Sequence, residues 1–265
     1  MMLETQDLTI RFGGHVAVDR VSCAFAAGTL TAIVGPNGAG KTTYFNLISG
    51  QLRASAGRVL LDGDDITALP APLRTRRGLG RAFQLTQLFG NLTVHENVRL
   101  AIQARESGRG GGAGGVFGVL DGVDFWRVWT DRKAWLDEAH AVLAQVRLAD
   151  RALALASSLP HGDQRKLEVA LLIALDPKVF MFDEPTAGMS LDEAPVILDL
   201  IRGLKARTDA TILLVEHKMD VVRELADRII VLHNGQLVAD GEPAAVIASP
   251  IVQQAYLGLA AEEGA

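Results

Sequence analysis

The chain has one cysteine, Cys23, in 265 residues. An intrachain disulfide is therefore excluded and a reducing compartment is expected, with Cys23 serving as a small apolar side chain on a strand. Long apolar runs are also missing. The longest, Val169 to Leu175, has seven residues, against about 20 needed to span a bilayer, so no membrane crossing is expected. The first residues, MMLETQDLTIRF, lack a basic segment followed by an apolar core, which argues against export. Positive charge is not in excess: 26 Lys and Arg stand against 31 Asp and Glu, a net charge of −5. No nucleic-acid partner is expected from that balance. Periodicity shows no internal repeat.

What is present centres on Gly35 to Thr43, GPNGAGKTT, between the apolar run Leu30 to Val34 and the helix-like run Tyr44 to Ser49. It fits G-x-x-x-x-G-K-[ST], the P-loop. A strand delivers the chain to a tight turn, glycines let backbone N–H groups crowd phosphate oxygens, and the next helix points its positive end at them. Gly35, Asn37, Gly38, Gly40, Lys41, Thr42 and Thr43 form this cradle. Lys41 is expected to reach the β- and γ-phosphates, and Thr42 to hold Mg²⁺.

Before the P-loop, Leu3 to Phe12 and Val16 to Phe25 read as strands divided by Gly13-Gly14, and after its helix Gly57 to Leu61 precedes an Asp62-Gly63 turn. Leu73 to Arg77 is a short basic stretch and Leu79 to Gln84 a strand. Thr93, with Glu96 three residues on, opens a helix through a capping box. Arg109 to Gly118 has six glycines in ten residues, too many for a regular element. Phe125 to Val146 and Gly162 to Leu175 carry helical patterns, and the tryptophans of the first, Trp126 and Trp129 among them, read as core packing.

From Val179 onward strands alternate with helices: strands Val179 to Phe182, Thr211 to Val215, Arg228 to Leu232 and Gln236 to Ala239, helices Asp192 to Lys205 and Lys218 to Ala226. Such alternation means a parallel sheet covered by helices on both faces. The expected class is α/β, a P-loop NTPase with a mixed central sheet, an antiparallel β subdomain and a helical subdomain. Residues 1–84 and 176–265 would form the nucleotide-binding core, and residues 85–175 a helical subdomain with a Gly-rich insertion near 108–118. Val179 to Phe182 ends in Asp183 and Glu184 at the sheet edge where ligands of open α/β sheets bind. Asp183 would hold Mg²⁺ beside Thr42, and Glu184 would polarise a water for attack on the γ-phosphate.

Together these residues resemble one family, the ATP-binding subunits of ABC transporters, across essentially the whole chain. Besides the P-loop and VFMFDEP, the chain has RAFQ with Gln84 at the Q-loop position, LPHGDQRKLE at the signature position, EPTAGMS across the D-loop, and LLVEH with His217 at the switch position. The resemblance implies ATP and Mg²⁺ as cofactors and ATP hydrolysis as the reaction. It implies that Gln84 contacts Mg²⁺ and the attacking water, that His217 binds the γ-phosphate and orients Glu184, and that Phe12 stacks on adenine. A second ABC ATPase subunit, identical or different, would offer Pro160, His161, Gly162 and Asp163 in trans to the neighbour's nucleotide. In the family consensus L-S-G-G-Q a serine stands where this chain has Pro160, which has neither a hydroxyl nor an N–H to give; Ser158 is a candidate substitute donor.

Further partners implied are transmembrane permease subunits and, through them, a periplasmic or extracellular solute-binding protein. The implied address is the cytoplasmic face of the cell membrane. The His-Gly form of the signature with LE after it, the insertion from Gly108 to Trp129, EPTAGMS and the C-terminal VQQAYLG resemble the subgroup serving importers of branched-chain and other hydrophobic amino acids. The same subgroup serves urea, amides and aromatic acids. A regulatory nucleotide-binding subunit and a lipid-export subunit stay open as alternatives, the first because of Pro160. Leu85 to Leu92, LTQLFGNL, is apolar enough to line a groove for a permease helix.

Overall fold

The computed structural model describes residues 2–82, 88–109, 132–190, 192–250 and 252–253. Strands β1 (Leu3–Phe12) and β2 (His15–Phe25) form an antiparallel hairpin, and β3 (Leu30–Val34) leads through the P-loop into helix α1 (Lys41–Ser49). There follow β4 (Ala56–Leu61), β5 (Asp64–Asp65), α2 (Ala71–Arg76), β6 (Leu79–Ala82), α3 (Val94–Arg109), α4 (Arg132–Gln145) and α5 (His161–Leu175). The chain ends with β7 (Val179–Asp183), α6 (Ala194–Lys205), β8 (Thr211–Val215), α7 (Met219–Leu225), β9 (Arg228–His233), β10 (Gln236–Gly241) and α8 (Pro243–Ile247).

Contacts divide the chain into two units. Unit 1 comprises residues 1–84, 177–185 and 201–265; unit 2 comprises 85–176 and 186–200. Unit 1 holds both sheets: a four-stranded antiparallel one ordered β2-β1-β4-β5, and a six-stranded one ordered β10-β9-β3-β8-β7-β6. In the larger sheet β9, β3, β8, β7 and β6 run parallel and β10 is antiparallel at the edge, the mixed sheet expected. Every residue of β3, β7 and β8 is buried, as strands covered on both faces must be, and their sequences are accordingly continuous apolar runs. One face packs Ile33, Met181, Leu213 and Val215 with Tyr44, Phe45 and Ile48 of α1 and with Leu3, Val21 and Phe25 of the antiparallel sheet. The other packs Ala32, Val34, Ile229 and Val231 against Val222 and Val246.

Unit 2 has its own core, in which Val94, Val98 and Ile102 of α3 meet Val142 and Leu143 of α4 and Leu167, Ala170 and Ala174 of α5. The capping box is formed: the Thr93 amide and hydroxyl both donate to Glu96 Oε2 at 2.8 Å, and the Glu96 amide donates back to Thr93 Oγ1 at 3.2 Å. Elements differ from the sequence reading where local signals are short. The basic stretch at Leu73 is part of α2, and β5 and α8 had no signal long enough to announce them. Residues 125–131 of the long predicted helix and the glycine run from 110 onward lie outside the described residues.

Candidate functional site

Strand register builds the site. Asp183 of β7 pairs with Val215 of β8, and Ile33 of β3 pairs with the same Val215, so three neighbouring strands end level. The P-loop, Glu184 and the turn carrying His217 therefore leave from one edge, with strands about 4.8 Å apart. The backbone of the P-loop needs its glycines. Gly40, at φ 95°, is the N-cap of α1, and a Cβ there would lie 2.5 Å from the Ala17 carbonyl oxygen. At Gly35 a Cβ would lie 2.2 Å from the Leu232 carbonyl oxygen. With no side chain capping α1, the amides of its first turn face a cavity of about 260 Å³ whose lining includes Asn37, Gly38, Lys41, Thr42, Glu184 and His217. Gly40 and Thr43 line it too.

Lys41 is 6% exposed and donates to the carbonyls of Gly35 at 2.6 Å and Pro36 at 2.9 Å. Burial pulls its pKa below the ordinary lysine value, against the opposing pull of Glu184 and Asp183, whose carboxylates both act on it. His217 Nε2 and Glu184 Oε1 are 2.7 Å apart. Glu184 stands in the left-handed region at φ 48°, at a cost of about 1–2 kcal/mol, and its amide donates to the Val215 carbonyl at 2.9 Å. The turn beneath His217 is fixed by buried Glu216, which accepts the His217 amide at 2.8 Å and the Lys218 amide at 3.3 Å.

Asp183 is buried, and its Oδ2 accepts from the Arg81 guanidinium at 2.6 Å. Thr42 and Asp183 are both oxygen donors on unit 1, the kind of set Mg²⁺ takes, with the remainder of its shell left to phosphate and water. Gln84 lies outside the described residues. Phe12 is 51% exposed at the end of β1, paired across the turn with His15. His15 rather than Phe12 lines the cavity.

Three residues of the site's frame had no sequence signal. His15 opens β2 just after a turn whose composition marks only a hairpin. Arg81 on β6 read as a polar strand residue. Arg74, from the basic stretch, is 2% exposed and donates to the carbonyls of Leu47, Ile48, Thr67 and Leu69. It thereby satisfies the C-terminal carbonyls of α1. Burial pushes its pKa down to about 10.

In unit 2, Pro160 is the N-cap of α5 and provides no side-chain cap, so the first amides of the helix are left without a capping side chain. Beside Gly162 stands the Glu193 carboxylate, which a Cβ there would meet at 2.2 Å and displace. Glu193 also accepts from the Ser190 amide at 3.2 Å and hydroxyl at 3.0 Å. Asp163 is held by Lys166 at 2.8 Å and Arg151 at 3.2 Å. Gly188 approaches the His161 ring, a Cβ there lying 3.4 Å from Cε1. The start of α5 thus lies against Gly188 and Glu193 within this unit. Ser158 Oγ donates to the Leu155 carbonyl at 2.7 Å.

Among known proteins, the family described as ABC transporter matches residues 18–187. The high-affinity branched-chain amino acid transport ATP-binding protein LivG of Escherichia coli is 36% identical over 257 residues, 97% of this chain and 98% of that protein. BraF of Pseudomonas aeruginosa, of the same description, is 37% identical over the same shares. The probable LivG of Archaeoglobus fulgidus is 33% identical over 97% of this chain and 95% of its own. Among solved structures, the nucleotide-free ATP-binding cassette of an ABC transporter superposes with a TM-score of 0.77 at 29% identity, covering 96% of this chain and 98% of that one.

Proposed function

The chain belongs to the ABC transporter family, and we propose that its ATP hydrolysis powers import of branched-chain or other hydrophobic amino acids through partner permease subunits at the cytoplasmic face of the membrane. The Glu184–His217 pair beside the P-loop cavity carries the enzymatic half of this reading. The descriptions of LivG and BraF support the substrate half.

The backbone amides opening α1 and the Lys41 ammonium bind phosphate oxygens, Lys41 exchanging its two carbonyl partners for them. Thr42 and Asp183 would hold Mg²⁺, with Gln84 assigned to the same ion from the sequence. When bound, that ion neutralises charge on the β- and γ-phosphates. Glu184 accepts the proton of the attacking water, and His217 holds its carboxylate in place. Phe12, exposed at the hairpin beside the cavity-lining His15, is assigned to the adenine. Pro160 to Asp163 of a second such subunit, identical or not, would complete each site, with amides at the start of α5 reaching the γ-phosphate.

Support for a permease partner comes from unit 2. Phe89, Leu153 and Leu155 are 60%, 87% and 47% exposed, and they lie on two segments joined by backbone bonds between Thr93 and Leu155 and between Gly90 and Ser157. Large apolar side chains grouped this way mark an interaction surface. Among the described residues no helix is long and apolar enough to cross a membrane.

Uptake of labelled leucine, urea, an aliphatic amide and phenylalanine is to be compared in cells lacking the gene and in cells resupplied with the wild-type chain or with Glu184→Gln. Loss of leucine uptake restored only by the wild-type chain is the expected result. Unchanged amino-acid uptake with lost urea or amide uptake would move the substrate. Purified chain that binds ATP and never turns it over would support the regulatory reading that Pro160 favours.

A further inference from the structure

The Arg81 guanidinium holds four groups from three segments. Besides Asp183 Oδ2 at 2.6 Å, it donates to Asn46 Oδ1 at 2.6 Å and Ser49 Oγ at 3.0 Å on α1, and to Gln51 Oε1 at 3.1 Å. Its carbon lies 5.4 Å from the centroid of the Phe45 ring. Side-chain exposure is 6% for Arg81 and 0% for Asp183, so the pair is anchored in the interior rather than tethered at the surface. A planar fork of five donors can serve a carboxylate and an amide oxygen at once; an ammonium on a flexible stem cannot do so with fixed geometry. In sequence Arg81 stands three residues before Gln84, on the strand that leads to it.

We propose that Arg81 is the positioning residue for Asp183, fixing one carboxylate oxygen so that the group meets a divalent cation in a single orientation, referenced to the body of α1. The proposal rests on the reading of Thr42 and Asp183 as Mg²⁺ donors. Its physical basis is that residues behind a metal ligand orient it, and their loss costs about 10- to 100-fold in metal affinity. The same clamp ties β6, the end of α1 and the end of β7 together, so displacement of the strand before Gln84 is felt at Asp183 without any contact to nucleotide.

The test measures affinity for a fluorescent ATP analogue in excess MgCl₂ and in EDTA, for the wild-type chain, Arg81→Met, Arg81→Lys and Asn46→Ala. The wild type is expected to bind more tightly with Mg²⁺. Arg81→Met is expected to lose that preference by about tenfold, with EDTA affinity within about twofold of wild type. Arg81→Lys, which keeps charge but not the fork, and Asn46→Ala, which keeps the ion pair but frees the fork, are expected to lie between. A wild type indifferent to Mg²⁺ would overturn the metal reading and the proposal with it. A wild-type preference retained in folded Arg81→Met, or an equal loss in EDTA, would overturn the proposal alone. If Arg81→Met does not fold, wild-type preference in both milder variants would do the same.

Discussion

The phosphate cradle of unit 1 and the signature end of unit 2 are both helix N-termini without a side-chain cap, yet they are held by different means. At α1 the constraint is backbone against backbone: Gly35 and Gly40 fit where a Cβ would strike a carbonyl oxygen. At α5 the constraint is charge between side chains, with Lys166 and Arg151 on Asp163, and Glu193 over Gly162. Backbone contacts tolerate no replacement, whereas in the buried Asp163–Lys166 pair the loss of either partner strands a charge. The first method fixes a backbone shape, and the second makes a helix start depend on the charges around it.

The contrast can be broken most severely at the chemistry itself. Glu184→Gln is expected to cut turnover by about 10²- to 10⁴-fold while ATP affinity stays close to wild type, as read by phosphate release and by nucleotide binding; undiminished turnover would remove Glu184 from the mechanism. Next in size, Gly40→Ala forces a side chain into φ 95° and against the Ala17 carbonyl. A cost of about 1–3 kcal/mol is expected, visible as a lower Tm and weakened ATP binding.

Pro160→Ser addresses the other side of the comparison. Restoring a hydroxyl at α5 is expected to raise turnover by up to about tenfold, the worth of one hydrogen bond to a charged group, with Pro160→Ala giving no such gain. If both variants match wild type, backbone amides alone carry that face. The smallest effect concerns Lys41. Its pKa lies below the usual lysine value of about 10.4, so it loses its charge earlier as pH rises, and ATP affinity falls with it. Stability of the free protein runs the other way: burial opposes the charged form in the folded chain, so folding gains as pH rises from the folded toward the unfolded pKa. Lys41→Arg, charged throughout, should flatten the alkaline side of the affinity profile, and a titration of nucleotide affinity would show it.

The cradle was legible because its motif encodes backbone: glycine at Gly35, Gly38 and Gly40 states where left-handed or crowded conformations occur. Glu184 was legible as the end of an apolar strand and His217 through the resemblance of LLVEH, and the structure brings them within 2.7 Å. Arg81 and Arg74 were not, because an arginine's burial depends on acceptors far away in sequence, Asp183 and Leu47 among them. His15 depended on where a hairpin tip folds over. Gln84 and the glycine run lie outside the described residues, so their assignments rest on sequence.

Strand β7 is apolar and buried on both faces, so nothing in its hydrophobic pattern distinguishes one pairing register from the next. A slip by one residue would put Glu184 in the place of Asp183 with Pro185 following, or Asp183 in the place of Glu184 with Phe182 behind it, so one of the two places would lose its carboxylate. The Arg81 fork and the Glu184 amide bond to Val215 accept only one alignment. The two together act as a folding checksum: a chain that mispairs this strand gives up the Arg81–Asp183 contact and leaves one acidic place without its carboxylate.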